Sequence, residues 1–244
     1  MVEISTIKTP IIDQIEGMVK DIPGWSPIDQ LYTLFNLVYL TADLEGSIVE
    51  VGSWCGRSTL VLATAAQLIG NTKVFCIDLF PEKNDWKKNK DGSYSFAVKI
   101  GDQTYSAFNN HSVWKEPFEK DIAPIYRKYN GIFDAFNETI SRSNLQNWVK
   151  AYKGNSTLFA SSVDKNFKCK LVFIDGDHDY HAVSQDIKNL ETYLVEGGWI
   201  CFDDAFSHYD GVTQAVEEHI IKNPNYELGQ QMTRKFFVAR KKRK

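Results

Sequence analysis

Four short apolar runs in this chain each reach a carboxylate near where they stop. Ser47 to Val51 carries Glu50, KVFCID (73–78) ends on Asp78, KLVFID (170–175) ends on Asp175, and WICFDD (199–204) ends on Asp203-Asp204. Apolar runs without in–out alternation are strands buried on both faces, and such strands belong to parallel sheets covered by helices. Helical apolar spacing fills the intervals: residues 10–20, 28–42, from Arg57–Ser58 to Gly70, Tyr180 to Val195 and Val212 to Ile221. A further strand is expected near Trp148–Tyr152. A turn is expected at Glu196-Gly197-Gly198, and the closing YELGQQMTRKFFVARK reads as two strands joined by a turn. The expected fold is α/β: a Rossmann-like, doubly wound, mostly parallel seven-stranded sheet with a C-terminal antiparallel hairpin.

The 244 residues are expected to form one domain, with residues 1–45 as an N-terminal helical cap. Residues 80–130 break the rhythm. This long insertion is aromatic, mixed in charge and without a clean period; it reads either as a lid or substrate wall, or as a subdomain for decoration or self-association. Net charge is −3, yet the last five residues, Arg240 to Lys244, are all basic, so the remaining body is more acidic still. An acidic body argues against a nucleic-acid groove, and the basic tail reads as a solvated terminus. No apolar run approaches the roughly 18 residues of a membrane span, and MVEISTIKTP lacks the apolar stretch of a signal peptide. Cys55, Cys76, Cys169 and Cys201 lie in or beside apolar runs without metal-site spacing, which fits buried free thiols in a reducing compartment; a cytoplasmic location is expected.

In a doubly wound sheet, ligands bind beyond the C-terminal strand ends where the chain order reverses. The first such loop reads Glu50-Val51-Gly52-Ser53-Trp54-Cys55-Gly56-Arg57-Ser58-Thr59. Gly52 allows a sharp turn off the strand, Gly56 would let a ligand approach the backbone, and Ser58 and Thr59 open the helix. The G-x-x-x-G spacing is not the G-x-G-x-x-G of dinucleotide sites, and Glu50 suits a cationic ligand better than a pyrophosphate. Asp78 stands 26 residues after Gly52, where a carboxylate can accept both hydroxyls of a ribose. Together these favour an adenosine cofactor without phosphates.

EVGSWCGRST, the Asp78 strand end, GNS (154–156), FIDGDHDY (173–180) and GGWICFDD (197–204) together resemble the class I S-adenosylmethionine-dependent methyltransferases. More narrowly, they resemble small-molecule O-methyltransferases that use a divalent metal, in the style of the bacterial sugar and natural-product branch with its IDGDH strand end. The resemblance covers roughly residues 22–80 and 145–240. It implies that Glu50, Gly52 and Ser58, with Ser53 beside them, surround the methionine part of S-adenosylmethionine. It implies further that Asp78 takes the ribose hydroxyls, that Asn155 and Ser156 border the adenine, and that Asp175 reaches both cofactor and metal. Asp175, Asp203 and Asp204 would hold the metal. Catechol-type enzymes have Asp-Asn where this chain has Asp203-Asp204, and the extra charge favours a hard ion such as Mg²⁺.

Three carboxylates on neighbouring strand tips would raise one another's pKa unless a cation neutralised them. His178, three residues past Asp175, stands where catechol-type enzymes place a lysine base; an imidazole there can remove a hydroxyl proton or, alternatively, orient Asp175 or Asp203. His208 is a second candidate base, and His111 lies in the unassigned insertion. The expected reaction is methyl transfer to a hydroxyl of a small molecule (a sugar, a catechol-like ring or a natural product) chelated by the metal. A homodimer or larger homo-oligomer is consistent with the group resembled. Two other readings remain open: an Fe(II) hydroxylase using Asp175, His178 and His181, and a non-catalytic S-adenosylmethionine-binding protein.

Overall fold

The computed structural model describes residues 10–70, 72–107 and 112–243. The first nine residues of the expected cap, His111 and the terminal Lys244 lie outside them. Seven strands form the main sheet: β1 (Ser47–Val51), β2 (Val74–Asp78), β6 (Val149–Lys153), β7 (Cys169–Ile174), β8 (Leu194–Phe202), β9 (Tyr226–Gln231) and β10 (Phe237–Lys241). Their order across the sheet is β6-β2-β1-β7-β8-β10-β9, with β10 alone running against its neighbours. This is the expected doubly wound α/β fold with a C-terminal antiparallel hairpin. The chain winds outward from β1 through β2 to β6, then crosses to β7 on the other side of β1. The order therefore reverses between β1 and β7, and a crevice opens beyond their tips.

The continuous apolar strands supply two cores. Ile48, Leu171, Phe173 and Val238 pack with Leu31, Leu34, Leu60 and Phe136 on one face. Val49, Val172, Ile174 and Ile200 pack with Val183, Ile187 and Val212 on the other. Successive strand residues point to opposite faces, so a strand covered on both sides is apolar at most positions. The helices Ile28–Leu40 and Arg57–Ile69 cover the first face, and Tyr180–Leu190 and Asp210–Val216 the second. All four cysteines are free and buried. Among the described residues, no helix is long and apolar enough to cross a membrane.

Several boundaries differ from the sequence reading. The helix expected to reach Val195 ends at Leu190, and the expected glycine turn lies inside β8. Gly197 takes φ +79 there, and a Cβ on Gly198 would meet the Lys170 and Val195 carbonyl oxygens at 2.9 Å. The pair thus enters the sheet through a register shift against β7 rather than turning before it. The helix expected at Val212 to Ile221 closes in a wider turn, Glu217–Ile221. The insertion carries its own antiparallel sheet of β3 (Trp86–Lys88), β4 (Tyr94–Ile100) and β5 (Gln103–Ala107). The helix Ile132–Arg142, which follows the insertion, has no counterpart in the sequence reading.

Candidate active site

Adjacent strand tips stay paired to their last residues. The Gly52 N–H donates to Ile77 O at 2.9 Å, that of Asp175 to Val51 O at 2.8 Å, and that of Asp203 to Ile174 O at 3.0 Å. Gly52 takes φ +89, and a Cβ there would lie 1.9 Å from the Asp175 carbonyl oxygen. This glycine is required because two backbones cross, a stricter reason than the turn alone. Gly56, expected to admit a ligand, instead faces Phe136 and Thr139, whose side chains a Cβ would meet at 3.3 and 3.4 Å. Its φ of +85 starts the helix Arg57–Ile69.

Glu50 does not line the crevice. It is fully buried behind the loop, accepting from Ser58 Oγ at 2.6 Å and from Thr59 Oγ1. Burial pushes its carboxyl up, and these hydroxyls oppose that shift. Asp78 does line it, holding the Trp54 N–H (2.8 Å) and the Phe80 N–H (2.6 Å) on its two oxygens. Trp54 and Phe80 have φ of +46 and +45, so this one carboxylate pins two left-handed residues. Asn155 caps the helix Ser156–Ser162 by accepting from Leu158 N at 3.0 Å. Ser156 Oγ donates to Asp186 Oδ1 at 2.5 Å. Burial raises the Asp186 carboxyl to about 7.

One cavity of about 1350 Å³ runs from this loop past the β7 and β8 tips. Its wall includes Gly52, Ser53, Ser58, Asp78, Asn155 and Ser156 at one end and Asp175, His178, Asp203 and Asp204 at the other. Two further segments close it. Pro23–Pro27 is held by Arg57, whose guanidinium donates to the carbonyls of Val19 (2.6 Å), Ile22 and Ser26 (both 3.1 Å). From the insertion, Phe96, Tyr105 and Trp114 face in. Trp54 Nε1 is buried without a hydrogen-bond partner, a donor on the cavity wall that a ligand can satisfy.

At the acidic end, Asp175, Asp203 and Asp204 lie near enough for the charges of Asp203 and Asp204 to act on Asp175. Burial first, and then the Asp203 charge, push the Asp175 carboxyl well above the usual range, and a side-chain hydrogen bond to Asp203 favours its protonated form. His178 Nε2 lies 3.3 Å from Asp204 Oδ2, and its ring packs on Tyr209 with centroids 4.0 Å apart. The His208 ring also packs on Tyr209, with centroids 4.0 Å apart. His181 is exposed, does not line the cavity and packs against Tyr180, so the ligand set of an Fe(II) hydroxylase is not assembled. The expected Mg²⁺ finds no support here either. No group of three His, Cys, Asp or Glu among the described residues is placed to hold a metal ion. The Lys235 ammonium instead stands 2.8 Å from Asp203 Oδ2 and 3.4 Å from Asp204 Oδ1.

Residues 49–205, which carry the glycine loop, the acidic strand tips and His178, match the family model described as a methyltransferase domain. The chain belongs to that family. Solved structures with the same fold include the O-methyltransferase NovP (15% identity, TM-score 0.63, over 95% of this chain and 88% of NovP). The calicheamicin methyltransferase CalS11 aligns at 13% identity with TM-score 0.56, over 96% and 93% of the two chains. An O-methyltransferase from Bacillus cereus in complex with SAH aligns at 15% identity with TM-score 0.54, over 98% and 94%. The sequence reading missed Arg57 and Asp186 within the matched domain, and Lys235 beyond it. Each acts across a distance in sequence that local motifs do not report: Arg57 bonds back 31 to 38 residues, Ser156 and Asp186 are 30 apart, and Lys235 and Asp203 are 32 apart.

Proposed function

We propose that this protein transfers a methyl group from S-adenosylmethionine to a hydroxyl of a small molecule. The observation that carries the reading is the single cavity that joins the loop after β1, in a chain of the methyltransferase domain family, to the His178–Asp204 pair. When bound, S-adenosylmethionine supplies a sulfonium methyl: the oxygen–carbon bond forms as the carbon–sulfur bond breaks, and SAH leaves. Asp78 and the cap at Asn155–Ser156 would border the ribose and adenine, as the motif resemblance implies, and Gly52, Ser53 and Ser58 the methionine part. Glu50 acts from behind, fixing Ser58 and Thr59 by hydrogen bonds.

The His178–Asp204 pair would receive the hydroxyl proton, with the carboxylate stabilising the imidazolium that results. Nucleophile and sulfonium neutralise each other's charge, so a site walled against water favours the step. The insertion would serve as such a wall: Trp114 lines the cavity from it, and Trp25 and Trp54, with centroids 5.7 Å apart, line it from the other side. Aromatic walls suit a planar ring or a sugar, so the acceptor class is a cyclic small molecule bearing hydroxyls. A panel of catechols, sugar diols and natural-product phenols, read by SAH release, tests the reading. SAH formation with at least one hydroxylated ring is expected; SAH formation with a thiol or amine acceptor alone would refute O-methylation.

A further inference from the structure

The carboxylate cluster at the β7 and β8 tips carries a cation of its own chain. Lys235 lies on the turn between β9 and β10, where the Met232 N–H donates to Phe236 O at 2.8 Å and Gln231 Nε2 donates to Arg234 O at 2.6 Å. The next residues, Phe236 and Phe237, are buried, so the turn is anchored directly after the lysine. Its side chain is about one-fifth exposed and reaches Asp203 Oδ2 at 2.8 Å and Asp204 Oδ1 at 3.4 Å. Asp204 also faces His178, and Asp175 shares a hydrogen bond with Asp203. Asp203 and Asp204 thus have an ammonium and an imidazole of this chain as partners, while Asp203 Oδ1 is buried without a hydrogen-bond partner. A divalent ion bound there would have to displace the ammonium or share its oxygens against a like charge.

The geometry points to Lys235 as the resident cation of this cluster, holding the place that the motif resemblance gives to a divalent metal and presenting an N–H to the acceptor oxygen. An ammonium carries three donors; its hydrogen bond to Asp203 Oδ2 uses one, the Asp204 contact at 3.4 Å is an ion pair, and Lys235 lines the cavity into which a remaining N–H can donate. Lys235 stays protonated throughout and takes no proton from the acceptor. The donation to substrate rests on the methyl-transfer reading above, whereas exclusion of a metal rests on the cluster alone.

Mn²⁺ binding, followed by the loss of its free-ion electron paramagnetic resonance signal, tests this on the full chain. Wild type and Lys235→Arg are expected to leave the Mn²⁺ signal at its free-ion intensity. Lys235→Met, which keeps the side-chain bulk without the charge, and Lys235→Ala are expected to bind Mn²⁺ at least tenfold more tightly than wild type. Submillimolar Mn²⁺ binding by wild type overturns the proposal, as does a Lys235→Met protein, folded by circular dichroism, that binds no more tightly than wild type. If neither neutral variant folds, Lys235→Arg decides: tighter Mn²⁺ binding than wild type overturns the proposal, and unchanged binding supports it. Binding of S-adenosylmethionine to wild type, measured in parallel by calorimetry, separates failure of this inference from failure of the methyl-transfer reading.

Discussion

The two ends of the cavity are built by different means. At the β1–β2 end, position depends on backbone: Gly52 passes within a Cβ's reach of the Asp175 carbonyl, and Asp78 holds two peptide N–H groups. At the β7–β8 end, position depends on side-chain charges: Asp175, Asp203 and Asp204 arrange themselves around Lys235 and His178. A backbone-built end tolerates little change in shape. A side-chain-built end can change its chemistry while the sheet beneath it stays intact. Substitutions at the first end should therefore damage folding and cofactor binding together, and those at the second should damage turnover alone.

The largest effect is expected at Gly52. A methyl group 1.9 Å from Asp175 O cannot be accommodated without separating β1 from β7, so Gly52→Ala should cost on the order of 4 kcal/mol or abolish folding, read by urea denaturation. At the opposite end, His178→Ala should lower kcat by about 10²- to 10⁴-fold with the S-adenosylmethionine Kd unchanged; an equal loss of both would erase the distinction between the ends. Asp78→Ala leaves the Trp54 and Phe80 N–H groups without their acceptor and should cost about 1–3 kcal/mol for each that stays buried, while weakening cofactor binding.

The effect at Asp186 is read as a slope against pH. Its carboxyl, raised by burial to about 7 from an ordinary value near 3.8, binds its proton more tightly folded than unfolded. The stability it contributes is full below about pH 4 and falls as pH rises towards 7, by about 1.4 kcal/mol per unit. Asp186→Asn should remove that slope, so the variant gains on wild type across pH 4–7 in denaturation midpoints. A constant difference across that range would contradict the assignment.

Much of this was legible in the sequence. The acidic tips of continuous apolar strands marked the sheet, the switch point and the converging Asp175, Asp203 and Asp204. Glu50 was misplaced for a reason also present in the sequence: with a two-residue period it shares a face with Ile48, under the helix Arg57–Ile69, and not the strand tip. The insertion's sheet had its own signals, Asp91-Gly92 and Gly101-Asp102, where Gly92 and Gly101 take φ of +90 and +59. They were obscured because β4 and β5 mix polar and aromatic residues on a sheet with a small apolar cluster. Lys235 gave no local signal at all. Only the reversed strand β10 brings its turn back to the acidic tips, a consequence of topology that residue spacing does not encode.

The central claim is that this cavity binds an S-adenosyl ligand beside a cluster that carries its own cation. Calorimetric titration of SAH into the wild-type protein, with and without a chelator, tests it most directly. One molecule of SAH per chain with the same Kd in both buffers is predicted; no binding, or binding that the chelator abolishes, would contradict it.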